Sequence, residues 1–359
     1  MTLGIVLVIN PKNTSSKIAV YKDSKLCFLK TIKYTDEQLA ACGSIPGQLE
    51  MRKNAILQEL KDNDINVNKL QIVVARGGLI KPVKSGVYEV NEQMREDLMK
   101  GIMGMHATNL GGLIAADIAA LTNAKAIIAD PVVVDEMDDV ARISGHPLFK
   151  RKSIFHALNQ KVVARKYAKS INRKYEDLNL LVVHAGGGGI SVGAHKQGNV
   201  VDVSQAFDGD GPFSMERTGT LPAGDLIRMC FSGKYAEKEL MDLVTAKGGL
   251  YAYLGTTSLN TIDKRIADGD KDASFIMYAM AYQLAKEIGA MCTVLDGKPD
   301  AIILSGDLFH YSYFTQNLIK KVEKIATIAI YPDEDEVDAL AMNAIGVMKG
   351  EIEVLQYKS

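Results

Sequence analysis

Short apolar runs recur along the chain, and each ends in a polar or glycine-rich turn. Residues 3–9 (LGIVLVI), 70–75 (LQIVVA), 125–129, 180–183 and 300–304 are of this kind. Unbroken runs of that length predict buried strands in a sheet covered on both faces. Between them the apolar spacing becomes helical. Leu49, Ile56, Leu57 and Leu60 predict a helix over 48–62. Further helices are predicted over 93–103, 109–121, 153–171, 222–231, 235–245, 271–295, 314–323 and 334–348. The 109–121 segment is rich in glycine and alanine (Gly111, Gly112, Ala115, Ala116), so close packing on a sheet is expected. Turns are expected at 247–249 and 253–258, and Tyr251 and Tyr253 are assigned to the core, with adenine contact as the alternative. Strands alternating with helices predict an α/β fold, with a domain boundary near residue 150.

One layout occurs twice. The strand at 180–183 enters four glycines, Gly186 to Gly189; a strand at 190–194 leaves them and turns at Gln197-Gly198 into another at 199–203. Near the start, the strand at 3–9 enters a polar turn at 10–16, followed by strands at 17–21 and 26–32. Laid on one another without gaps, Asn10 falls on His184, an offset of 184 − 10 = 174, and KIAVYKDSK falls on SVGAHKQGN. Such a repeat predicts duplicated halves facing each other across a cleft. Glycines lack Cβ atoms, so backbone N–H groups can approach an anion closely.

Composition narrows the partners. The apolar fraction of 47% fills two ordinary cores, and a net charge of −1 gives no drive toward nucleic acid or a membrane surface. No apolar run reaches the roughly 18 residues of a membrane span. Cys27, Cys42, Cys230 and Cys292 are scattered without a CxxC pair, and the first residues lack a basic leader, so a cytoplasmic protein is expected. Walker A, GxGxxG and HExxH motifs are absent. What remains is a set of polar turns at the ends of predicted strands: 10–17, Arg76-Gly77-Gly78, Asp130, the glycine run, and Ser305-Gly306-Asp307, with His156 and Arg217 besides. Ligands of α/β sheets bind at strand carboxyl ends. Opposed anion-binding turns with scattered Arg and His suit a nucleotide phosphate chain. His106 and His310 are read as structural.

The segments VINPKNTSSKIAVY, VVARGGLIKP, MHATNLGG, ADPVVVDEM, RKSIFHALNQK, VVHAGGGGISVGAH and FDGDGPFSMERTGTLPAGDL resemble the butyrate kinase family, in the acetate kinase branch of the sugar kinase/chaperone/actin ATPase superfamily. The resemblance runs from residue 3 to about residue 350. It implies two duplicated ribonuclease-H-like (actin-like ATPase) domains facing a nucleotide cleft. These would be 1–150, completed by the helix at 334–350, and 151–333.

The implied reaction is reversible transfer of a phosphoryl group from Mg-ATP to a short-chain carboxylate, butyrate first, with isobutyrate, propionate or acetate as alternatives. An actin- or chaperone-like ATPase is the competing class. The resemblance places Asn10, Thr14, Ser15, Ser16 and Lys17 near the transferred phosphate, with Asn10 and Glu336 on magnesium and Glu334 as a competitor for the latter. It places Arg76 on the carboxylate, Asp130 as the active-site aspartate, and His156 and Arg217 on the transferring phosphoryl group. His184, Gly186, Gly187, Gly188 and Gly189 would hold the β-phosphate, and Ser305, Gly306 and Asp307 the adenosine side. It also implies a homodimer or higher homo-oligomer. Two features depart from the family pattern: Lys12-Asn13 replace a glycine and a serine of NPGSTS, and the second turn carries four glycines, which predicts a loop one residue longer.

Overall fold

The computed structural model describes residues 4–186, 189–333 and 336–358. The chain forms two compact units, Met1–Val134 with Asp335–Ser359, and Asp135–Glu334. The first unit thus ends before the boundary expected near 150, because Glu136 belongs to the second. Its carboxylate accepts from the buried Lys161 ammonium (2.6 Å) and from Val200 N (2.9 Å).

Unit 1 opens with three antiparallel strands, β1 (Ile5–Lys12), β2 (Ser15–Lys22) and β3 (Lys25–Lys33). It continues through α1 (Asp36–Ala41), α2 (Leu49–Asp62), β4 (Leu70–Arg76), β5 (Val87–Glu89), α3 (Glu92–Lys100), α4 (Asn109–Ala120) and β6 (Lys125–Ala129). Unit 2 holds α5 (Ala157–Ser170), β7 (Asn179–Gly186), β8 (Gly189–Lys196) and β9 (Asn199–Val203). Then come α6 (Ala223–Cys230), α7 (Glu237–Thr245), α8 (Gly249–Leu254), α9 (Leu259–Ala267), α10 (Lys271–Val294), β10 (Ala301–Ser305), α11 (Ser312–Val322) and β11 (Thr327–Tyr331). The chain returns to unit 1 with α12 (Glu336–Met348) and β12 (Val354–Gln356).

The sheet of unit 1 runs β12-β5-β6-β4-β1-β2-β3 and that of unit 2 runs β11-β10-β7-β8-β9. Stripped of β12 and β5, the first order is the second. The offset of 174 survives at the level of hydrogen-bonded pairs. Asn10 opposes Lys17 as His184 opposes Ser191, and Lys12 opposes Ser15 as Gly186 opposes Gly189. Even the bulge repeats, between Val20 and Tyr21 in one copy and Ala194 and His195 in the other. An offset preserved through every pair and a bulge means that neither hairpin is longer than its twin.

The unbroken apolar strands are explained by two-sided burial. Leu180, Val182, Ala301 and Ile303 pack with Val163 and Tyr167 of α5, while Leu181, Val183, Ile302 and Leu304 pack with Leu284 and Ile288 of α10. Alternate residues of one strand thus feed two cores. In unit 1 α4 packs on β1, β4 and β6 and α12 on β1, β2, β4 and β6, with Leu340, Ala341 and Ala344 of α12 buried. The glycines of α4 permit its close approach: a Cβ on Gly111 would stand 2.5 Å from the Arg76 carbonyl oxygen.

Several local expectations change. The polar turn at 10–16 is mostly strand, with only Asn13 and Thr14 between β1 and β2. Pro11 is tolerated there because β1 pairs with β4 only as far as Ile9. The helix expected from 153 starts at Ala157, since Ile154 is drawn out to accept from Ala206 N (3.0 Å). The turn segments at 247–258 contain α8, and α9 was not anticipated although Ser258 caps it by accepting from Thr261 N. Tyr251 and Tyr253 are not core residues: α8 buries only Gly249 and Leu250, leaving the tyrosines 44% and 66% exposed. The three-residue strands β5 and β12 are too short to show a period in sequence. Among the described residues, no helix is long and apolar enough to cross a membrane.

Candidate active site

In unit 1, β1, β4 and β6 are parallel neighbours, so Asn10, Arg76 and Asp130 all lie at the carboxyl edge of one sheet. The N-terminus of α12 meets this edge. Glu336 accepts from Arg76 Nη1 (2.5 Å) through one carboxylate oxygen and from Asn10 Nδ2 (2.5 Å) through the other. Residues 326 and 260 positions from Glu336 thus share its carboxylate. Glu334 lies outside the described residues.

Strand alternation divides the turn residues. Asn10, Lys12, Ser15 and Lys17 pair across the hairpin and so share one face. Ser16 points to the other face and is fully buried, its hydroxyl accepting from Tyr34 Oη (3.0 Å). Behind the turn stands Arg52 on α2, also fully buried. Its guanidinium donates to the carbonyls of Lys12 (2.8 Å), Asn13 (2.7 Å) and Ser15 (3.1 Å), and lies over the Tyr34 ring. Burial pulls the Arg52 pKa down, and the Tyr34 and Cys42 side chains oppose the shift. Thr14 is exposed, and its carbonyl accepts from Tyr34 N.

Asp130 precedes a proline yet has φ +38°, a left-handed backbone that costs an ordinary residue about 1–3 kcal/mol. Bonds to Ser85 and Gly86 help hold it there. Its Oδ1 accepts from Ser85 Oγ (2.6 Å) and Gly86 N (2.9 Å), and its own N donates to Gly86 O.

In unit 2, β7, β10 and β11 are parallel neighbours, and the corresponding carboxyl edge carries His184 and Ser305. Register makes Arg76 and Ser305 counterparts: Ala75 opposes Ile9 as Leu304 opposes Val183, 174 residues later. Arg76-Gly77-Gly78 and Ser305-Gly306-Asp307 are therefore equivalent turns. Gly306 is required for its backbone, at φ +104°, and because a Cβ would meet the Ala185 oxygen at 2.3 Å. The Ser305 hydroxyl donates to Val183 O (3.0 Å), so its lone pair faces His184 Nδ1 (3.1 Å) and places a proton on that nitrogen.

His156 is the N-cap residue of α5, and its ring lies 4.6 Å from that of His184. Its Nδ1 meets Ser191 Oγ at 2.8 Å. Gly186 and Gly189 are strand residues that oppose each other; Gly187 and Gly188 lie outside the described residues. Gly189 has φ +110° and seats Arg217, whose Nη1 would stand 2.8 Å from a Cβ there. Arg217 donates to the Ala206 carbonyl and lies over the Phe207 ring. Burial raises the carboxyl pKa values of Asp208 and Glu216 beside it, and Arg217 opposes both shifts. Gly186 faces Asp307, with a Cβ position 3.1 Å from Oδ1.

The structure thus gathers Asn10, Arg76 and Glu336 at one edge, and His156, His184, Gly186, Gly189, Arg217, Ser305 and Asp307 at the other. Arg52, Gln160 and Ser191 escaped sequence reasoning. Gln160 carried a signal, standing one helical turn after His156.

The profile of the acetokinase family matches residues 146–349. Butyrate kinase 2 of Clostridium acetobutylicum is 51% identical over 353 residues, covering 98% of this chain and 99% of that protein. Among solved structures, acetate kinase of Porphyromonas gingivalis superposes with a TM-score of 0.75 at 17% identity, covering 96% of this chain and all of its own (100%). A propionate kinase of Francisella tularensis also reaches 0.75, at 16% identity, covering 95% and 98% of the two chains. These structures share the fold, two mixed α/β units of the actin-like ATPase type. With a family profile over more than half its length and a relative at half identity over nearly all of it, the chain belongs to the acetokinase family.

Proposed function

We propose that the protein transfers the γ-phosphoryl group of ATP reversibly to a short-chain carboxylate, with butyrate as the acid and butanoyl phosphate and ADP as products. The observation that carries this reading is 51% identity to a butyrate kinase along 98% of the chain. A carboxylate oxygen attacks the γ-phosphorus; that O–P bond forms as the bond to the β–γ bridging oxygen breaks. A carboxylate is already ionised at neutral pH, so no proton has to leave the acceptor. The obstacle is the approach of two anions, which calls for cations and N–H donors rather than a base.

In this reading Arg76 meets the carboxylate, while Arg217 and His156 meet the transferring group. Lys17, Thr14 and Ser15 approach the transferred phosphate. His184, the glycine turn and Ser305-Gly306-Asp307 hold the nucleotide. Asp130, whose Oδ1 accepts from Ser85 and Gly86, is the active-site aspartate of this reading.

Magnesium belongs to the same reading. Asn10 Oδ1 is buried without a hydrogen-bond partner among the described residues, and the Glu336 carboxylate adjoins the same side chain. Oxygen donors of this kind suit a hard cation. Asn10 and Glu336 would hold it, and when bound it neutralises charge on the ATP oxygens.

The reading extends to a cytoplasmic homodimer or higher homo-oligomer. Phe231, 88% exposed just after α6, is an apolar side chain such a contact would cover, and sedimentation measures the assembly directly. The decisive assay supplies ATP and hydroxylamine with a series of acids. Butyrate is expected to give a hydroxamate, and glucose and glycerol to leave ATP unconsumed. If butyrate, isobutyrate, propionate and acetate all give none, the carboxylate-kinase reading is wrong.

A further inference from the structure

Unit 2 contains a buried polar chain that ends on His156. Tyr175, His195, Gln160 and Ser191 are each at most 4% exposed, and they link in series. Tyr175 Oη lies 2.6 Å from His195 Nδ1, and His195 Nε2 lies 2.9 Å from Gln160 Oε1. Gln160 Nε2 lies 2.9 Å from Ser191 Oγ, which lies 2.8 Å from His156 Nδ1. Space for the chain is made by Gly193, where a Cβ would stand 2.4 Å from Gln160 Oε1.

The proton positions follow from donor and acceptor rules. Gln160 Nε2 also faces the Ser191 carbonyl oxygen at 3.3 Å, and a carbonyl only accepts. That end of the amide is therefore NH2, and the end facing His195 is oxygen. His195 Nε2 must then carry a proton. Burial first, then Lys161 and Arg165, hold the His195 pKa well below its ordinary value, so Nδ1 is bare and accepts from Tyr175. At the other end Ser191 Oγ accepts from Gln160. Its own proton has one acceptor among the described residues, His156 Nδ1. The opposite arrangement, His156 donating from Nδ1, would strand a fully buried hydroxyl proton, which is costly.

We infer that this chain holds His156 as the neutral tautomer with Nδ1 bare and Nε2 protonated, so that it serves phosphoryl transfer as a hydrogen-bond donor and not as a cation. Gln160 and Ser191 are positioning residues that act through it. This rests on the reading of His156 as a contact of the transferring group. It also contrasts His156 with His184, whose proton sits on Nδ1. Two rings in contact then present unlike nitrogens, and neither needs a second positive charge beside Arg217.

Histidine-labelled protein tests the inference by ¹⁵N NMR, with the His156 signals identified by their loss in His156→Gln. In the wild type Nδ1 is expected in the non-protonated range and Nε2 in the protonated range. Gln160→Glu changes the logic of the chain. A carboxylate accepts from Ser191, leaving Ser191 Oγ only as an acceptor, so His156 Nδ1 gains a proton. The same variant should lower kcat by about tenfold, the loss of one oriented hydrogen bond, with the KM for ATP unchanged. Should Gln160→Glu not fold, as read by its melting curve, Ser191→Ala replaces it; both His156 tautomers are then expected together. A protonated Nδ1 in the wild type, or a spectrum unchanged in the variants, overturns the inference and leaves the kinase reading standing. A swapped tautomer with unchanged kcat overturns the positioning role, and with it the place of His156 in the reaction.

Discussion

Arg217 shows how much of this site is settled one residue at a time. Its side chain lies on the Cα of Gly189, donates to Ala206 O and covers Phe207. These contacts all lie within the protein and fix where the guanidinium stands. Such preorganised charge acts on the transition state more than on ground-state binding. Arg217→Ala should therefore lower kcat by about 10²–10³-fold, with only a small change in the KM for ATP. Steady-state kinetics check this, and an unchanged kcat removes Arg217 from the reaction. The motif DGDGPFSMERTG made Arg217 legible in the sequence. The role of Gly189 in seating it was not, because the contact joins residues that only the hairpin brings together.

At the scale of elements, the hairpin of unit 1 depends on a cation that nothing in the sequence singles out. In the helical pattern of 49–62 Arg52 reads as one more surface charge. In the fold it is fully buried and gathers three carbonyls of the β1–β2 turn, with Gln48 Oε1 on its Nε. Replacing it with Met keeps an unbranched apolar stem but leaves those acceptors without a donor. Arg52→Met should cost about 2–4 kcal/mol of stability, read from the urea midpoint. It should also reduce activity, since Asn10 and Lys17 stand on the same two strands. A variant as stable as the wild type would show that water or relaxation satisfies the turn. Alternation likewise decides which turn residues face α12. Asn10 and Lys17 do and Ser16 does not, and a period of two reveals this only once the pairing register is known.

At the scale of the whole molecule, stability should depend on a carboxyl group that belongs to no sequence motif. Glu287 on α10 has its pKa raised from 4.5 to about 7, by burial first and then by Asp210, with Arg151 opposing and Asp202 and Lys286 adding smaller effects of opposite sign. Arg151 is itself shared between Asp202 (2.8 Å) and Asp210 (3.5 Å), so little of its charge is left for Glu287. Between 4.5 and about 7 the folded protein keeps a proton that the unfolded chain has released. Stability from this group is therefore full at low pH and falls as the pH rises through that window, by at most about 3 kcal/mol. Glu287→Gln stays neutral throughout. It should melt higher than the wild type at pH 8 and close to it at pH 5; equal melting at both values would contradict the shift.

The sequence by itself determined the alternation of buried strands and helices, the twofold layout, and the offset of 174 that proved to hold through every pair of the two hairpins. These are local properties: apolar period and turn chemistry are written in neighbouring residues. It also marked His156, His184, Arg76 and Arg217, because their motifs are contiguous. Only the tertiary structure decided that Glu336 is shared by Asn10 and Arg76, that Arg52 lies beneath the turn, and that Ser191 and Gln160 govern the proton on His156. Those relations join residues tens to hundreds of positions apart, and they arise when strand register and helix docking bring side chains within hydrogen-bonding distance.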